Sequence, residues 1–512
     1  MKRTKIGVIS AIIVAFEALL TGALTMVRTK VILEAFGTNI NGVISVATSL
    51  SAYMLLFESG MTAAYQYNMY KPLLARDYEK ISSLYAGMKK NFLSVTIKMT
   101  ACSLAVACIY SIFLQDKGVT YAEAVSLLSV IGLRIVAPYI FTISPRTLLI
   151  VKERKFITDI VETLKNTLTI IIEILLIRNT VLPLYLILCT NIVLTFFARF
   201  IYLYLVKRYF KNNIDPKAEA DMAPKTMTGD ILVHRVAGLI TNNTDTVLLS
   251  FFKELGLNSC TIYNSYSSVI MYPITLVNRL IESMRATLAL KITGDEKNAY
   301  YYFREVFSFG KLCALVIIPA FISQINDFVI LWIGKEYTIG IVDVVLFAMF
   351  GMHKILIPTV YATRDSKGLY KESKSYSIAQ AVVNMLLSLA LIKPLGITGV
   401  LIGTAVCDWL VLEPFNIRLV FSKVFFRRFD MALDYAGMFI VIAAMTRVST
   451  ILNTVVFSGS LSWGNFILRS IVVIAFTTIV SFIYLLTTDF GFRSLLIRFI
   501  PKRFIHKEKE KS

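Results

Sequence analysis

Asp245 stands within Thr241-Asn242-Asn243-Thr244-Asp245-Thr246, inside an apolar segment that runs from about Gly229 to Phe252. A carboxylate at the core of a bilayer costs about 2.5–3.5 kcal/mol on insertion scales, so by default it marks a functional site. Later apolar segments carry oxygen-bearing side chains at a matching depth. Counted from the outer ends, Asp245, Asn384 and Thr404 each lie about 7–8 residues inward, ~11 Å at 1.5 Å per residue. Such hard oxygen donors suit Na⁺, or Asp245 alone carries a proton. Asp408 lies four residues after Thr404 on the same helical face and joins this ion-coupling set. The competing reading is an acid capped by Thr241, Asn242 and hydroxylic neighbours, acting as glue between helices.

Basic residues form a second constellation. Lys98, Arg134, Lys165, Arg199, Arg235, Lys354, Arg447 and Arg469 all fall inside apolar segments. Lys98 and Arg199 sit near segment ends, where a long stem can reach water. Arg134, Lys165, Arg235 and Lys354 lie deeper. Together they would line a cationic cavity suited to phosphate oxygens. The alternative is pairing with the buried acids Glu17, Glu162, Glu173 and Asp343. No H-E-x-x-H and no glycine-rich phosphate loop occurs, so neither a metalloenzyme nor direct ATP use is expected. The six cysteines are scattered without a C-x-x-C pair and read as packing groups.

The elements that must position these residues follow from composition. The chain has 512 residues, 56% hydrophobic and 17% charged, with a mean hydropathy of +0.68. A soluble protein would be about 25% charged. Apolar runs long enough to cross a bilayer recur along the whole length, so the chain reads as an all-α, polytopic membrane protein. Roughly fourteen spans are expected, at 7–33, 41–66, 91–114, 120–145, 156–177, 182–206, 229–252, 261–288, 307–333, 338–362, 374–392, 397–421, 433–456 and 463–486. The net charge of +20 is a membrane signature here and not a nucleic-acid one. With a cytoplasmic N-terminus, alternate connections hold about 38 of the Lys and Arg and the opposite ones about seven. Both termini are therefore expected on the cytoplasmic side. Lys71–Lys90 reads as an amphipathic surface helix. The basic tail from Phe490 suits anionic headgroups.

An internal repeat organises the spans. Glu34-Ala35-Phe36-Gly37-Thr38-Asn39 echoes Glu254-Leu255-Gly256-Leu257-Asn258. The offset that aligns Gly37 with Gly256 also brings several span starts into register. An even number of spans between the copies gives both halves the same orientation, the plan of transporters with parallel repeats. The expected organisation is an N-lobe at 1–206, a cytoplasmic linker at 207–228, a C-lobe at 229–425, two extra spans at 426–487 and a basic tail at 488–512.

Certain stretches carry a family resemblance: Phe36-Gly37-Thr38-Asn39-Ile40-Asn41-Gly42, Phe57-Glu58-Ser59-Gly60-Met61, Tyr70-Lys71-Pro72-Leu73, Asn243–Leu249 and Ile262-Tyr263-Asn264-Ser265-Tyr266. The chain resembles the Wzx-like oligosaccharide flippases of polysaccharide biosynthesis, within the MOP exporter superfamily that also holds MATE exporters and MurJ. The resemblance agrees with two pseudo-symmetric six-helix lobes plus two C-terminal helices, a MATE/MOP-like fold. It implies translocation of a lipid-linked oligosaccharide by alternating access in a bacterial plasma membrane, driven by an ion gradient or the membrane potential. MurJ-like flippases have a comparable Na⁺ site on spans 7, 11 and 12. The basic residues would then hold an undecaprenyl diphosphate. Tyr263, Asn264, Tyr266, Ser267 and Tyr272 would line a sugar path, with ordinary packing as the alternative. Arg279 with Glu282 would sit at the cytoplasmic mouth. Pro138, Pro273, Pro319 and Pro358 would let spans bend.

The expected partners are that substrate, membrane lipids and polysaccharide assembly proteins, with no nucleic acid. A monomer without cofactor is expected, beyond Na⁺ or H⁺ as the coupling ion. The competing functions are a cation-coupled multidrug exporter of the MATE type and a membrane glycan polymerase or glycosyltransferase. The first should favour acids and aromatics over Lys and Arg. The second needs a larger outer loop than this chain has.

Overall fold

The computed structural model describes residues 2–499 apart from 59, 216, 223–228, 253–254, 295, 429 and 456–459. Side chains are not described for 2–16, 116, 286, 293, 296–297 and 499. The described residues form helices and turns, with no strand among them. The chain divides into two compact units, Met1–Asn264 and Ser265–Ser512.

The first unit holds α1 (Lys2–Ala52), α2 (Met61–Ala75), α3 (Tyr78–Leu114), α4 (Tyr121–Phe141), α5 (Ile143–Val151), α6 (Lys155–Asn179), α7 (Leu184–Leu188), α8 (Thr190–Phe210), α9 (Gly229–Phe251) and the start of α10 (Gly256–Gly294). The second unit continues α10 and adds α11 (Glu296–Trp332), α12 (Ile341–Ser366), α13 (Tyr370–Leu395) and α14 (Ile397–Val406). After these come α15 (Glu413–Val420), α16 (Ala432–Val455), α17 (Trp463–Thr488) and α18 (Phe490–Phe499). π-helical turns at Cys407–Leu412 and Phe421–Phe425 flank α15.

Local chemistry sets the ends. Thr120 and Glu123 form a capping box at the start of α4. Asp77 caps α3 by accepting from the Lys80 amide, and Ser462 caps α17 in the same way from Asn465. Gly37 interrupts α1 at φ 80°, ψ 176°, a conformation open to glycine. Its repeat partner Gly256 also has positive φ, at 62°.

Ten helices among the described residues are long and apolar enough to cross a membrane. The first, Glu17–Phe57, spans the kink at Gly37 and covers most of two expected segments. The expected segments at 156–177, 229–252 and 261–288 coincide with α6, α9 and α10. These three are helical but too rich in charged and polar groups to stand out by apolarity. The chain is a multi-pass helical membrane protein.

The connection at Lys71–Lys90 differs from the amphipathic surface helix expected there. Arg76 adopts φ 57° and ends α2, Asp77 restarts the helix, and the remainder runs without a break into α3. The linker is docked where it is described. Ser83 Oγ donates to the Glu219 carbonyl, the Asp221 amide donates to the Ser83 carbonyl, and Lys80 pairs with Asp221 at 2.9 Å. Of the basic tail, 500–512 lies outside the described residues, as do Lys225 and Lys253.

Candidate functional site

In the first unit, three helices bring together a buried charge triad. α1 packs against α4 and α6. Glu173 of α6 is fully buried between two arginines. Arg28 Nε lies 2.7 Å from one carboxylate oxygen, and an Arg134 terminal nitrogen lies 3.2 Å from the other. These are ion pairs and not aligned hydrogen bonds. Two cations share one acid, so the triad keeps a surplus positive charge. Sequence reading singles out Arg134 and Glu173 but not Arg28, although the rule of a charge inside an apolar span applies to it equally.

Two other cations of this unit, Lys165 and Arg235, each sit in a one-to-one pair with an acid. Lys165 donates to Glu162 at 2.7 Å, and Tyr202 donates to the other Glu162 oxygen at 2.9 Å. Arg235 of α9 donates to Glu58 at 2.9 Å. The same carboxylate accepts from the Gly60 and Thr62 amides, so it serves as a cap for α2 as well as a counter-ion.

Asp245 is 3% exposed. Tyr263 donates its hydroxyl to Asp245 at 2.7 Å. Around it, Tyr53 and Thr244 share a 2.9 Å bond, and Asn264 donates to Thr246 at 3.2 Å. The α9 stretch is therefore a polar seam facing α1 and the start of α10. Where α1 meets α10, Thr261 donates to the Thr38 carbonyl at 2.9 Å and accepts from Asn41 at 3.3 Å. A Cβ on Gly42 would fall 2.3 Å from the Leu257 carbonyl oxygen, which explains glycine there.

In the second unit, α13 and α14 form a ladder. Asn384 donates to Thr404 at 3.0 Å, and one turn away Gln380 donates to Asp408 at 2.9 Å. All four residues are buried. Asp408 also faces His353 Nε2 at 3.7 Å, and His353 Nδ1 lies 2.6 Å from Glu413. Tyr435 donates to the second Glu413 oxygen at 2.6 Å. Neither His353 nor Glu413 stands out in the sequence. A histidine between two acids drawn from one π-helical turn leaves no spacing signature.

Other expected residues take varied places. Tyr266 is fully buried in the second unit, with its hydroxyl on Asn326 at 2.5 Å and its ring stacked on Phe347. Lys354 Nζ lies 5.1 Å from the Phe350 ring centre. Arg279 is exposed, and Glu282 pairs with Arg285, which also reaches Asp365 at 2.8 Å. Thr398 donates to Asp343 at 2.5 Å.

A further charge cluster joins the end of α17 to α11. Lys311 contacts Asp489 and lies 3.0 Å from Asp434, while Arg304 reaches Asp434 at 2.9 Å. Asp489 also accepts from Ser308 and from the Gly491 amide. Burial alone would raise the Asp489 carboxyl, but Lys311, Arg304 and Ser308 more than offset it and hold it below the usual range. Among the described residues, no cluster of His, Cys, Asp and Glu forms a metal site.

No family model and no curated protein matches the chain. Solved structures do. The lipid II flippase MurJ in an inward closed conformation superposes with a TM-score of 0.64 at 13% identity, covering 94% of this chain and 100% of that one. The MATE multidrug transporter DinF-BH gives 0.56 at 14% identity, covering 83% and 97%. An inward-facing MATE family multidrug resistance transporter of the MOP superfamily gives 0.56 at 11% identity, covering 85% and 99%. At these identities the likeness shows the fold alone, one shared with these MurJ and MATE structures.

Proposed function

We propose that this protein is a flippase. It carries an undecaprenyl-diphosphate-linked oligosaccharide from the cytoplasmic to the outer leaflet of a bacterial inner membrane, for polysaccharide biosynthesis. The reading is of a transporter and not an enzyme. Alternating access exposes the sugar outside while the polyprenyl tail stays in lipid. The observation that carries this reading is the Arg28–Glu173–Arg134 triad. Among the described residues of the first unit, it is the ion-pair cluster with two cations on a single buried acid. That surplus suits an anionic headgroup, and guanidinium groups match phosphate oxygens. Arg235, Lys165, Lys354 and Arg279 are proposed to assist by exchanging partners during the cycle. Tyr263 and Tyr266 are proposed to approach the sugar in another state of that cycle. Ion coupling is assigned to Asp245 and to the polar ladder holding Asn384, Thr404 and Asp408.

The test is transport of a fluorescent lipid-linked oligosaccharide in proteoliposomes. Single replacements of Arg28, Arg134, Lys165, Arg235 and Lys354 by Ala are expected to lower the rate. Unchanged rates in all five would remove the cationic site. A second reading, export of organic cations, is favoured by the likeness to MATE transporters. Uptake of a cationic dye by the same vesicles, without oligosaccharide transport, would select it.

A further inference from the structure

His353 lies between two carboxylates that a single distortion of the helix brings to one side. In a regular α-helix, residues five apart point ~140° away from each other. Between Asp408 and Glu413 the helix is π-helical, and the Glu413 amide donates to the Asp408 carbonyl five residues back. An i to i+5 turn returns the chain to nearly the same face. Both acids therefore reach the His353 ring, one on each nitrogen.

The two contacts are not equivalent. His353 Nδ1 is 2.6 Å from a Glu413 oxygen, so this nitrogen carries a hydrogen and donates it. In a neutral imidazole the other nitrogen then bears a lone pair. That nitrogen, Nε2, faces an Asp408 oxygen at 3.7 Å. A lone pair against a carboxylate is repulsive, whereas an added proton on Nε2 turns the contact into an attraction. Asp408 has one oxygen without a hydrogen-bond partner, and that residue is fully buried. With the histidine neutral, two carboxylate charges would share a desolvated pocket, and unpaired buried charge is expensive.

Among the described residues, the neighbouring charges make contacts elsewhere. On α12, Arg364 is held by Asp365 at 2.8 Å and by Asn416 at 3.2 Å, and Lys354 lies against Phe350. α12 also contributes Tyr361. From α13 comes the neutral Gln380, and α14 brings no titratable group. From α16, Tyr435 is bound to Glu413, and Asp434 is taken up by Lys311 and Arg304 of α11. Arg418 on α15 is exposed. Among the described residues, His353 is the group within ion-pair range of both acids.

The cluster also has an approach. A cavity of about 580 Å³ is lined by Glu413 and Tyr435, with Arg418, Arg427 and Arg428 along it. His353 and Asp408 each lie about 11–12 residues into their helices, ~17 Å from the ends at Ile341 and Ile397. A proton could thus enter at Glu413 and rest at the middle of the span.

We propose that His353, held between Asp408 and Glu413, is a proton-binding site through which the transport cycle is coupled. This rests on the ion-coupled reading above and adds the ion and its residue. The proton from water binds Nε2 as a new N–H facing Asp408, and no other bond changes. The interposed ring keeps the two acids from closing on one metal ion, which is why the geometry favours H⁺ over Na⁺.

Trp409 reports on the site. Its ring centre lies 6.2 Å from that of His353, and a protonated imidazole quenches a neighbouring indole. The experiment uses the full chain with Trp332→Phe and Trp463→Phe, so that Trp409 is the single tryptophan left of three. Acidification from about pH 9 to pH 5 should quench emission reversibly in one step. His353→Gln should remove the step. Glu413→Gln keeps the imidazole and should keep the step, with its midpoint displaced from the parent's, and an undisplaced midpoint overturns the proposal. This second variant decides the matter if His353→Gln is not monodisperse. No step in the parent, a step surviving in His353→Gln, or quenching driven by Na⁺ at fixed pH overturns the proposal. The titration needs no substrate, so it judges the site even if oligosaccharide transport is not found. Where transport is found, His353→Gln should abolish its response to an imposed pH gradient. A retained response overturns the coupling role.

Discussion

Arg28 of α1 and Glu173 of α6 meet at 2.7 Å, with the acid fully buried and Arg134 on its far side. Removing the acid and removing one arginine should therefore act differently. Glu173→Gln leaves two guanidinium groups against each other, and breaking a buried pair in this way costs about 3–5 kcal/mol. A clear fall in melting temperature of the solubilised protein is expected. Arg28→Ala leaves Glu173 paired with Arg134, so melting should shift less while oligosaccharide transport drops. Wild-type transport by Arg28→Ala would exclude this arginine from substrate binding.

The contrast between those residues shows what sequence could reveal. The apolar segments were legible because hydropathy is local and the bilayer sets a length scale. The glycines at 37 and 256 were legible as special positions because a positive φ favours glycine. Which charge meets which was not, because Arg28 and Glu173 are far apart in the chain and any buried acid offered a partner. Tyr263 and Tyr266 look like one aromatic face from their spacing. Their hydroxyls serve different needs, Asp245 for the first and Asn326 for the second. The π-helical turn between Asp408 and Glu413 has no signature in composition, so the site around His353 was visible only in three dimensions.

Two glycines of α1 separate backbone strain from steric contact. Gly37→Ala meets no atom within 4 Å and should cost about 1–3 kcal/mol through its φ of 80° alone. Gly42→Ala would place its Cβ 2.3 Å from a backbone oxygen of Leu257. It must force α1 and α10 apart. Hydrogen exchange should rise at residues 257–261 in Gly42→Ala and stay near wild type there in Gly37→Ala. Equal exchange in the two variants would refute the close approach at Gly42.

Asp489 gives a pH test outside the spans. Its folded-state carboxyl titrates below the usual range. Its stabilising contribution is therefore complete above the unfolded value of about 3.9 and is lost as pH falls through the lower folded one. At neutral pH, Asp489→Asn removes the charge beside Lys311 and with it a tie between the start of α18 and α11. A loss of about 3 kcal/mol is expected, with faster proteolysis between Thr488 and Phe499. If cleavage there is no faster than in the parent, the cluster does not hold α18.

Asp245 and His353 should be separable as carriers of coupling. Asp245→Asn keeps a side chain able to accept from Tyr263 but removes the charge buried on α9. If Asp245 carries a coupling ion, transport in that variant loses its dependence on that ion, whether Na⁺ or H⁺. The Trp409 titration should be untouched by Asp245→Asn, because the quenching group is His353 and Asp245 lies in the other unit. His353→Gln should remove the Trp409 response and leave any Na⁺ dependence that Asp245 confers. Transport measured against separate Na⁺ and pH gradients in both variants decides between them. Loss of the same dependence in both would assign the two residues to one coupled site. Retention of both dependences in Asp245→Asn would take Asp245 out of coupling and leave it as a polar tie between α9 and α10.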